Sequence, residues 1–308
     1  MVRKSRKSRR KVNKKSIKQQ KAKKLNKTVN SAICSPIRKD KKIYSCYDDE
    51  SLDKIKNLWN IRHPDHKITA TSDKEIWDEL RKNMGNVCNN EKCWLRQNFA
   101  KNKLTSKLLN YTFAPNSPSS WEKNPTEWLT SLDIEKVMKQ YENKYSYFNF
   151  VGPSPIDFDT HIHHNECVWE ELCKFNLEKQ SGKGKRKFGI IFNIDPHYKD
   201  GSHWVSMFID LDKKFIMYFD STGEKIPKEI KNLMNKIIKQ AANMGITLKS
   251  YINKKGHQRK DTECGMYSLY FIIELLEEKK DPEYFLSHRI SDAEMEELRK
   301  QYFNQSDV

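Results

Sequence analysis

The sequence predicts a body of interleaved helices and strands, α+β or α/β in class, behind a helical arm and a disordered basic tail. Three observations carry this. Residues 1–39 hold sixteen Lys or Arg and no Asp or Glu, whereas the remaining 42 basic residues are balanced by 41 acids. Between residues 45 and 112 apolar side chains recur at helical spacing. From about residue 127, short β-branched runs alternate with amphipathic stretches, the pattern of a sheet covered by helices. The net charge of +17 therefore belongs almost wholly to the tail, and the body is near neutral. With 36% hydrophobic residues over 308 positions, there is ample material for a core.

The elements follow in order. The tail is Lys, Arg, Ser, Asn and Gln with almost nothing to bury, so it is expected to be disordered. Asp48 and Asp49 precede Leu52, Ile55, Leu58 and Trp59, a capped helix; Ser72 with Glu75 caps another ahead of Ile76 and Leu80. A third helical stretch runs from about Trp94 through Phe99 and Leu104 to Leu108, so residues 45–112 read as a helical arm. The prolines at 115, 118 and 125 mark residues 113–126 as a linker. Beyond it lie a helix over Ser131–Tyr141 and a buried strand over Phe188–Ile194. A hairpin follows, made of His203–Asp210 and Lys214–Phe219. Pro227 opens an amphipathic helix that Gly245 ends; Thr247–Ile252 is a further strand. A polar loop then leads to Cys264 and an apolar helix through Leu276, and a last helix starts at the Ser291–Glu294 capping box.

Four residues in this body suit nucleophilic catalysis by a thiol, which needs a base, a group that orients the base, and donors for an oxyanion. An even-length turn centred between Leu211 and Asp212 sets His203 and Asp220 opposite each other on one face of the hairpin, where a carboxylate can fix an imidazole tautomer. Cys264 stands at a helix N-terminus, with Asp261 or Thr262 as the cap, where the dipole favours a thiolate. Gly265 leaves room for a substrate backbone. Gln258, six residues upstream of Cys264, offers an amide N–H to an oxyanion, together with the backbone N–H of Cys264. Each residue alone has an ordinary structural reading: a small core thiol, a strand-end histidine, a turn-forming aspartate. The order His, Asp, Gln, Cys is what singles them out.

The segments Gly201-Ser202-His203-Trp204-Val205, Phe219-Asp220-Ser221 and Gln258-x5-Cys264-Gly265-Met266-Tyr267 resemble the clan of adenovirus-type and SUMO-specific cysteine proteases. Trp128-Leu129 is similar to that clan's Trp-Leu motif. The Asn193-x-Asp195-Pro196-His197 run, the helical arm and the Arg289–Phe303 ending look most similar to virion maturation proteases of giant and other large cytoplasmic DNA viruses. The resemblance covers residues 127–303 well and the arm weakly. It implies an α+β, papain-like core in rearranged chain order, with a central mixed sheet flanked by helices. It also implies that Trp204 roofs a narrow substrate channel and that cleavage follows Gly-Gly or Gly-small sequences. The implied substrate is a protein, either a viral structural precursor or a ubiquitin-like conjugate. Some clan members carry Asn where this chain has Asp220; either accepts the imidazole N–H.

Other signals are weaker. His161, His163, His164 and Cys167 form a cluster, and Cys88 with Cys93 a thiol pair, but neither has a complementary second half at zinc-site spacing. The expectation is no metal, no cofactor, a polar surface loop and two buried thiols. Seven cysteines without framework spacing suggest a reducing compartment: a virion, the host cytoplasm in which it assembles, or the nucleus. No apolar run reaches membrane-helix length, and the basic N-terminus lacks a signal-peptide core, so no membrane partner is expected. Residues 1–39 are expected to bind nucleic acid or another polyanion. The competing readings are a deubiquitinating or deSUMOylating isopeptidase, an acetyltransferase built on the same residues, and a catalytically idle, nucleic-acid-associated virion protein.

Overall fold

A computed structural model describes residues 33–37, 44–101, 103 and 106–304. Apart from 33–37, the tail expected over 1–39 lies outside these residues, as does Leu104. The chain forms two compact units that divide between Ala114 and Pro115.

The first unit is helical. Helix α1 (Asp49–Arg62) is capped by Asp48, whose carboxylate accepts from the Ser51 N–H at 2.8 Å. Helix α2 (Asp73–Met84) is capped by Ser72. Leu52, Ile55 and Trp59 meet Ile76, Trp77 and Leu80 in one apolar cluster. The expected helical stretch from Trp94 to Leu108 is two short helices, α3 (Glu91–Trp94) and α4 (Ser106–Tyr111), with turns over residues 95–101. Between them Arg96, Gln97 and Ala100 donate to carbonyls three residues back. The neighbouring pairs Trp94/Leu95 and Phe99/Ala100 are all buried. One helix cannot turn both members of two such pairs inward while keeping Arg96 in water, and tertiary burial overrides the local pattern. Glu91, 1% exposed, is the polar hub: it accepts from the Ser45 hydroxyl at 2.6 Å, the Cys46 N–H at 3.0 Å and the Trp77 indole.

Cys34–Cys46 and Cys88–Cys93 are disulfides in this unit and Cys167–Cys173 in the other; Cys264 is the free thiol. This corrects the reading of Cys88 and Cys93 as two buried thiols. The paired cysteines stand 12, 5 and 6 positions apart in sequence, short separations without a repeating framework. With three pairs formed, cysteine spacing no longer argues for a reducing compartment.

The second unit is an α+β domain on a five-stranded sheet in the order β1-β2-β3-β4-β5, made of Phe148–Pro155, Lys187–Asn193, Trp204–Asp210, Phe215–Phe219 and Lys249–Ile252. The two outer pairs are parallel and the inner pairs antiparallel, so the sheet is mixed. One face of β2–β4 (Phe188, Ile190, Val205, Met207, Ile216) packs on helices α7 (Leu177–Gly182) and α8 (Lys228–Asn243) through Leu177, Ile230, Leu233 and Ile237. The other face receives helix α9 (Cys264–Leu276), nearly all of which is buried. Its close approach depends on Gly189, where an added Cβ would lie 2.8 Å from Ile272. Phe219 stacks on Phe271 at 4.7 Å, a pair worth about 1 kcal/mol beyond its buried area. Helices α5 (Ser131–Lys144) and α11 (Asp292–Tyr302) pack against α9. Short helices α6 (Glu170–Cys173) and α10 (Pro282–Ser287) complete the order. Among the described residues no helix is long and apolar enough to cross a membrane.

Strand β1 was not foreseen. Its sequence, with Gly152, Pro153 and Pro155, reads as loop, because proline cannot donate to a ladder. At a sheet edge that loss is tolerated, and the register shifts between Val151 and Ser154, where the prolines begin.

Candidate active site

The β3–β4 hairpin carries two of the four expected residues just beyond its strand ends. Its register pairs Ser206 with Phe219 and Asp210 with Phe215, so the turn is centred between Asp212 and Lys213, one position later than expected. The cause is Asp210, whose carboxylate accepts from the N–H groups of Asp212 and Lys213 and nucleates a turn that Lys214 ends at φ 56°. Both turns are even, so His203 and Asp220 stay on one face but as diagonal neighbours, not directly opposite. Diagonal Cβ atoms stand about 7–8 Å apart, within reach of a histidine and an aspartate.

The side chains close that gap. His203 Nε2 lies 2.7 Å from Asp220 Oδ1. Asp220 is 3% exposed and is held from two sides. Its Oδ1 also accepts from the Thr222 N–H and hydroxyl, at 2.9 and 2.8 Å. Fully buried Asn253, just after β5, brackets the Asp220 backbone: its Oδ1 accepts the Asp220 N–H and its Nδ2 donates to the Asp220 carbonyl, both at 2.8 Å.

With Nε2 given to Asp220, His203 Nδ1 is left for the thiol, and Cys264 lies close enough to act on the ring. Burial pushes the imidazole toward the neutral form, but the hydrogen bonds and charges of Asp220 and Cys264 outweigh it and raise its pKa from 6.5 to about 10. The site therefore favours an imidazolium beside Cys264. The thiol is buried at the first position of α9. Neither Asp261 nor Thr262 caps the helix. The N-cap is Glu263, which makes no side-chain cap bond, because its carboxylate is turned to Arg299 and Thr262.

Gln258 is tied to the same edge. Its backbone N–H donates to the Ser221 carbonyl at 2.9 Å, its Oε1 accepts from the Ser221 hydroxyl at 2.7 Å, and its Nε2 donates to the Lys260 carbonyl. An amide nitrogen has two hydrogens, and this contact uses one.

Trp204 begins β3, is 8% exposed, and donates its indole N–H to the Leu129 carbonyl at 2.9 Å. The Leu129 side chain in turn covers Gly265, where an added Cβ would meet Leu129 atoms at 2.9–3.2 Å. This corrects the expectation for Gly265: the space left by its missing side chain is filled by Leu129 of the same chain, not kept for substrate. The glycine lets the Trp128-Leu129 segment lie against the start of α9.

Arg299 and Asn253 were missed by sequence reasoning. Arg299 on α11 is 4% exposed. Its Nε pairs with Glu263 at 2.9 Å, one Nη donates to the Glu127 carbonyl at 2.8 Å, and the other to the Thr262 carbonyl at 3.1 Å. It therefore ties together the approach to Cys264 and the approach to Leu129. A buried basic residue on a last helix is the one available signal, and spacing cannot supply its partners. Of the cluster His161, His163, His164 and Cys167, His161 and Cys167 come together, and Cys173, outside that cluster, joins them.

Comparison with known proteins bears on the class of enzyme. Residues 189–307 match the model of the Ulp1 protease family, C-terminal catalytic domain. The chain is 29% identical over 294 residues, 88% of its own length and 93% of the other, to a protein of Acanthamoeba polyphaga mimivirus that carries the name of a thiol protease. It is 29% identical over 259 residues, 79% and 93% of the two lengths, to a SUMO-1 cysteine protease of African swine fever virus. The crystal structure of an African swine fever virus protease superposes with a TM-score of 0.64 at 25% identity, covering 91% of this chain and 98% of that one. Residues 189–307 thus resemble the C-terminal catalytic domain of the Ulp1 protease family, and the chain is a cysteine peptidase.

Proposed function

We propose that this peptidase is a thiol endopeptidase that cleaves viral structural precursors after Gly-Gly or Gly-small sequences during virion maturation, with Cys264 as nucleophile. The observation that carries the residue assignment is His203 bonded to Asp220 at 2.7 Å, with Cys264 beside the ring at the N-terminus of α9. In the proposed reaction the Cys264 thiolate attacks the scissile carbonyl carbon and a C–S bond forms. The oxyanion lies toward the Cys264 backbone N–H and the Gln258 amide. The His203 imidazolium gives its proton to the leaving amine as the C–N bond breaks. Water, deprotonated by His203, then opens the thioester, returning the thiolate and releasing a carboxylic acid. Asp220 holds the ring in one tautomer throughout.

Two things support the substrate class. The relatives at 29% identity are viral proteins. Trp204, held by Leu129 beside His203, suits a narrow channel in which only glycine lets a backbone approach an aromatic face. A second reading, release of a ubiquitin-like modifier, is favoured by the name of the African swine fever virus relative. Mass-spectrometric profiling of a peptide library beside a SUMO-linked substrate separates the two. Preference for Gly before the cleaved bond in free peptides supports the endopeptidase. Cleavage confined to the folded modifier supports the isopeptidase, and equal cleavage after bulky residues overturns the channel.

We place the enzyme in the virion and the host cytoplasm, with residues 1–39 as a polyanion-binding arm. Deleting residues 1–32, which spares Cys34 and its disulfide to Cys46, is expected to leave peptide cleavage nearly intact and to remove most affinity for DNA, which otherwise falls steeply with salt. Undiminished binding without them would move the nucleic-acid site into the body.

A further inference from the structure

The segment between β1 and β2 contains a hairpin that neither the fold nor the active site explains. Ile162 N–H donates to the Glu166 carbonyl at 2.8 Å and Val168 N–H to the Thr160 carbonyl at 3.0 Å, with His161 and Cys167 forming an isolated antiparallel bridge between them. That pattern makes His161 and Cys167 a non-hydrogen-bonded pair, the closer of the two antiparallel spacings, on one face. Cys167 Sγ lies 3.8 Å from His161 Nε2. Helix α6 then turns the chain back, with the Cys173 N–H on the Trp169 carbonyl at 3.0 Å, and delivers Cys173 to the same point. The three ligand atoms all lie within 4.8 Å of one another. Among the described residues this is the one group of three or more His, Cys, Asp and Glu side chains gathered to that distance. The other two cysteine pairs belong to no such group.

We propose that, once the Cys167–Cys173 disulfide is reduced, His161, Cys167 and Cys173 bind one zinc-class divalent ion. A tetrahedral zinc with sulfur at about 2.3 Å and nitrogen at about 2.0 Å sets its ligand atoms about 3.5–3.8 Å apart; Cys167 Sγ already stands 3.8 Å from His161 Nε2, and the two sulfurs, bonded in the disulfide, part on reduction to reach that spacing. Two thiolates and an imidazole are a soft set that selects zinc, cadmium or cobalt over magnesium or calcium. The fourth position falls to Glu170 or to water. Glu170, three residues beyond Cys167 and at the start of α6, pairs with Lys174 at 2.6 Å. The chemistry balances: two equivalents of a small-molecule thiol reduce the disulfide and leave as their own disulfide. The ion then displaces one proton from each cysteine.

The site is built on anchored chain. Phe158 and Leu172, on either side of the hairpin, belong to the buried core. The same segment reaches the loop before His203, because Asp157 accepts from the His197 backbone N–H at 2.9 Å and meets its ring Nδ1 at 2.7 Å. An ion here would fix the hairpin that follows Asp157, from which that contact is made.

The test uses the full chain in a Cys264→Ser background, so that the active-site thiol cannot compete, reduced by a phosphine and titrated anaerobically with cadmium. One ion per chain is expected, with an ultraviolet thiolate-to-metal charge-transfer band. The band should be absent before reduction and lost in Cys167→Ser and in Cys173→Ser. Affinity should fall at least tenfold in His161→Ala, a surface change that leaves the core intact. The band should persist when Cys34 with Cys46, or Cys88 with Cys93, are changed to serine. No band in the reduced chain, a band that survives Cys167→Ser, or one lost with either of the other pairs would overturn the proposal.

Discussion

Replacing Arg299 with Met removes the guanidinium while keeping most of the stem. Three contacts go at once: the ion pair to Glu263, and the donors to the Glu127 and Thr262 carbonyls. Glu263 is fully buried, and burial already raises its pKa above the usual carboxylate value against the opposing pull of Arg299. Without Arg299 it becomes an unpaired buried charge, a loss of about 3–5 kcal/mol. The sign with pH follows from the raised pKa. Protonated Glu263 is tolerated, so the stability deficit of Arg299→Met at pH 7 should shrink as pH falls toward the unfolded carboxylate pKa. The double variant Arg299→Met/Glu263→Met removes both charges and should recover most of the stability. It should not recover kcat, because neither methionine can hold the two carbonyls that precede Cys264 and Leu129. Urea unfolding and peptide turnover on the wild type, single and double variants measure both. A single variant within 1 kcal/mol of wild type, or a double variant as unstable as the single, would refute the reasoning.

Gly265→Ala places a methyl 2.9 Å from Leu129, an overpacking of about 1–3 kcal/mol that Leu129→Ala should relieve when both changes are made; denaturant titration of the two singles and the double checks it. Asp220→Asn should keep measurable turnover, since it retains an acceptor for His203, and Asp220→Ala should lose more. Asn253→Ala, which frees the Asp220 backbone from two hydrogen bonds, should lower stability by about 2 kcal/mol and reduce kcat more than it raises KM. His257 is fully buried, and desolvation lowers its pKa from 6.5 to about 4, so the unfolded chain binds the extra proton between those values. Stability should therefore fall as pH drops from 6.5 to 4, by about 3 kcal/mol from this group, and a His257→Gln chain should show a flatter profile.

What the sequence made legible was periodic or local. The caps at Asp48, Ser72 and Ser291 and the Pro227–Gly245 helix stand as read, because the signals for starting and stopping a helix lie within a few residues. Parity put His203 and Asp220 on one face even though the turn centre was misplaced by one position, since a side-chain period of two survives any even shift. The rest depends on pairing at long range. Arg299 meets Glu263 and Glu127 across 36 and 172 positions, and Asn253 meets Asp220 across 33, with no spacing rule to announce either. Strand β1 was hidden by prolines that only an edge tolerates. Gly265 was recognised as a position without room for a side chain, but only three-dimensional packing shows that Leu129 takes the room.

The most direct test is to label the enzyme with a Gly-Gly peptide bearing a thiol-reactive electrophile at its C-terminus and to map the adduct by mass spectrometry. A single adduct on Cys264 is expected in the wild type. None is expected in Cys264→Ala, and His203→Ala should be labelled far more slowly. An adduct on another cysteine, or undiminished labelling without His203, would contradict the assignment of Cys264 and His203 as nucleophile and base.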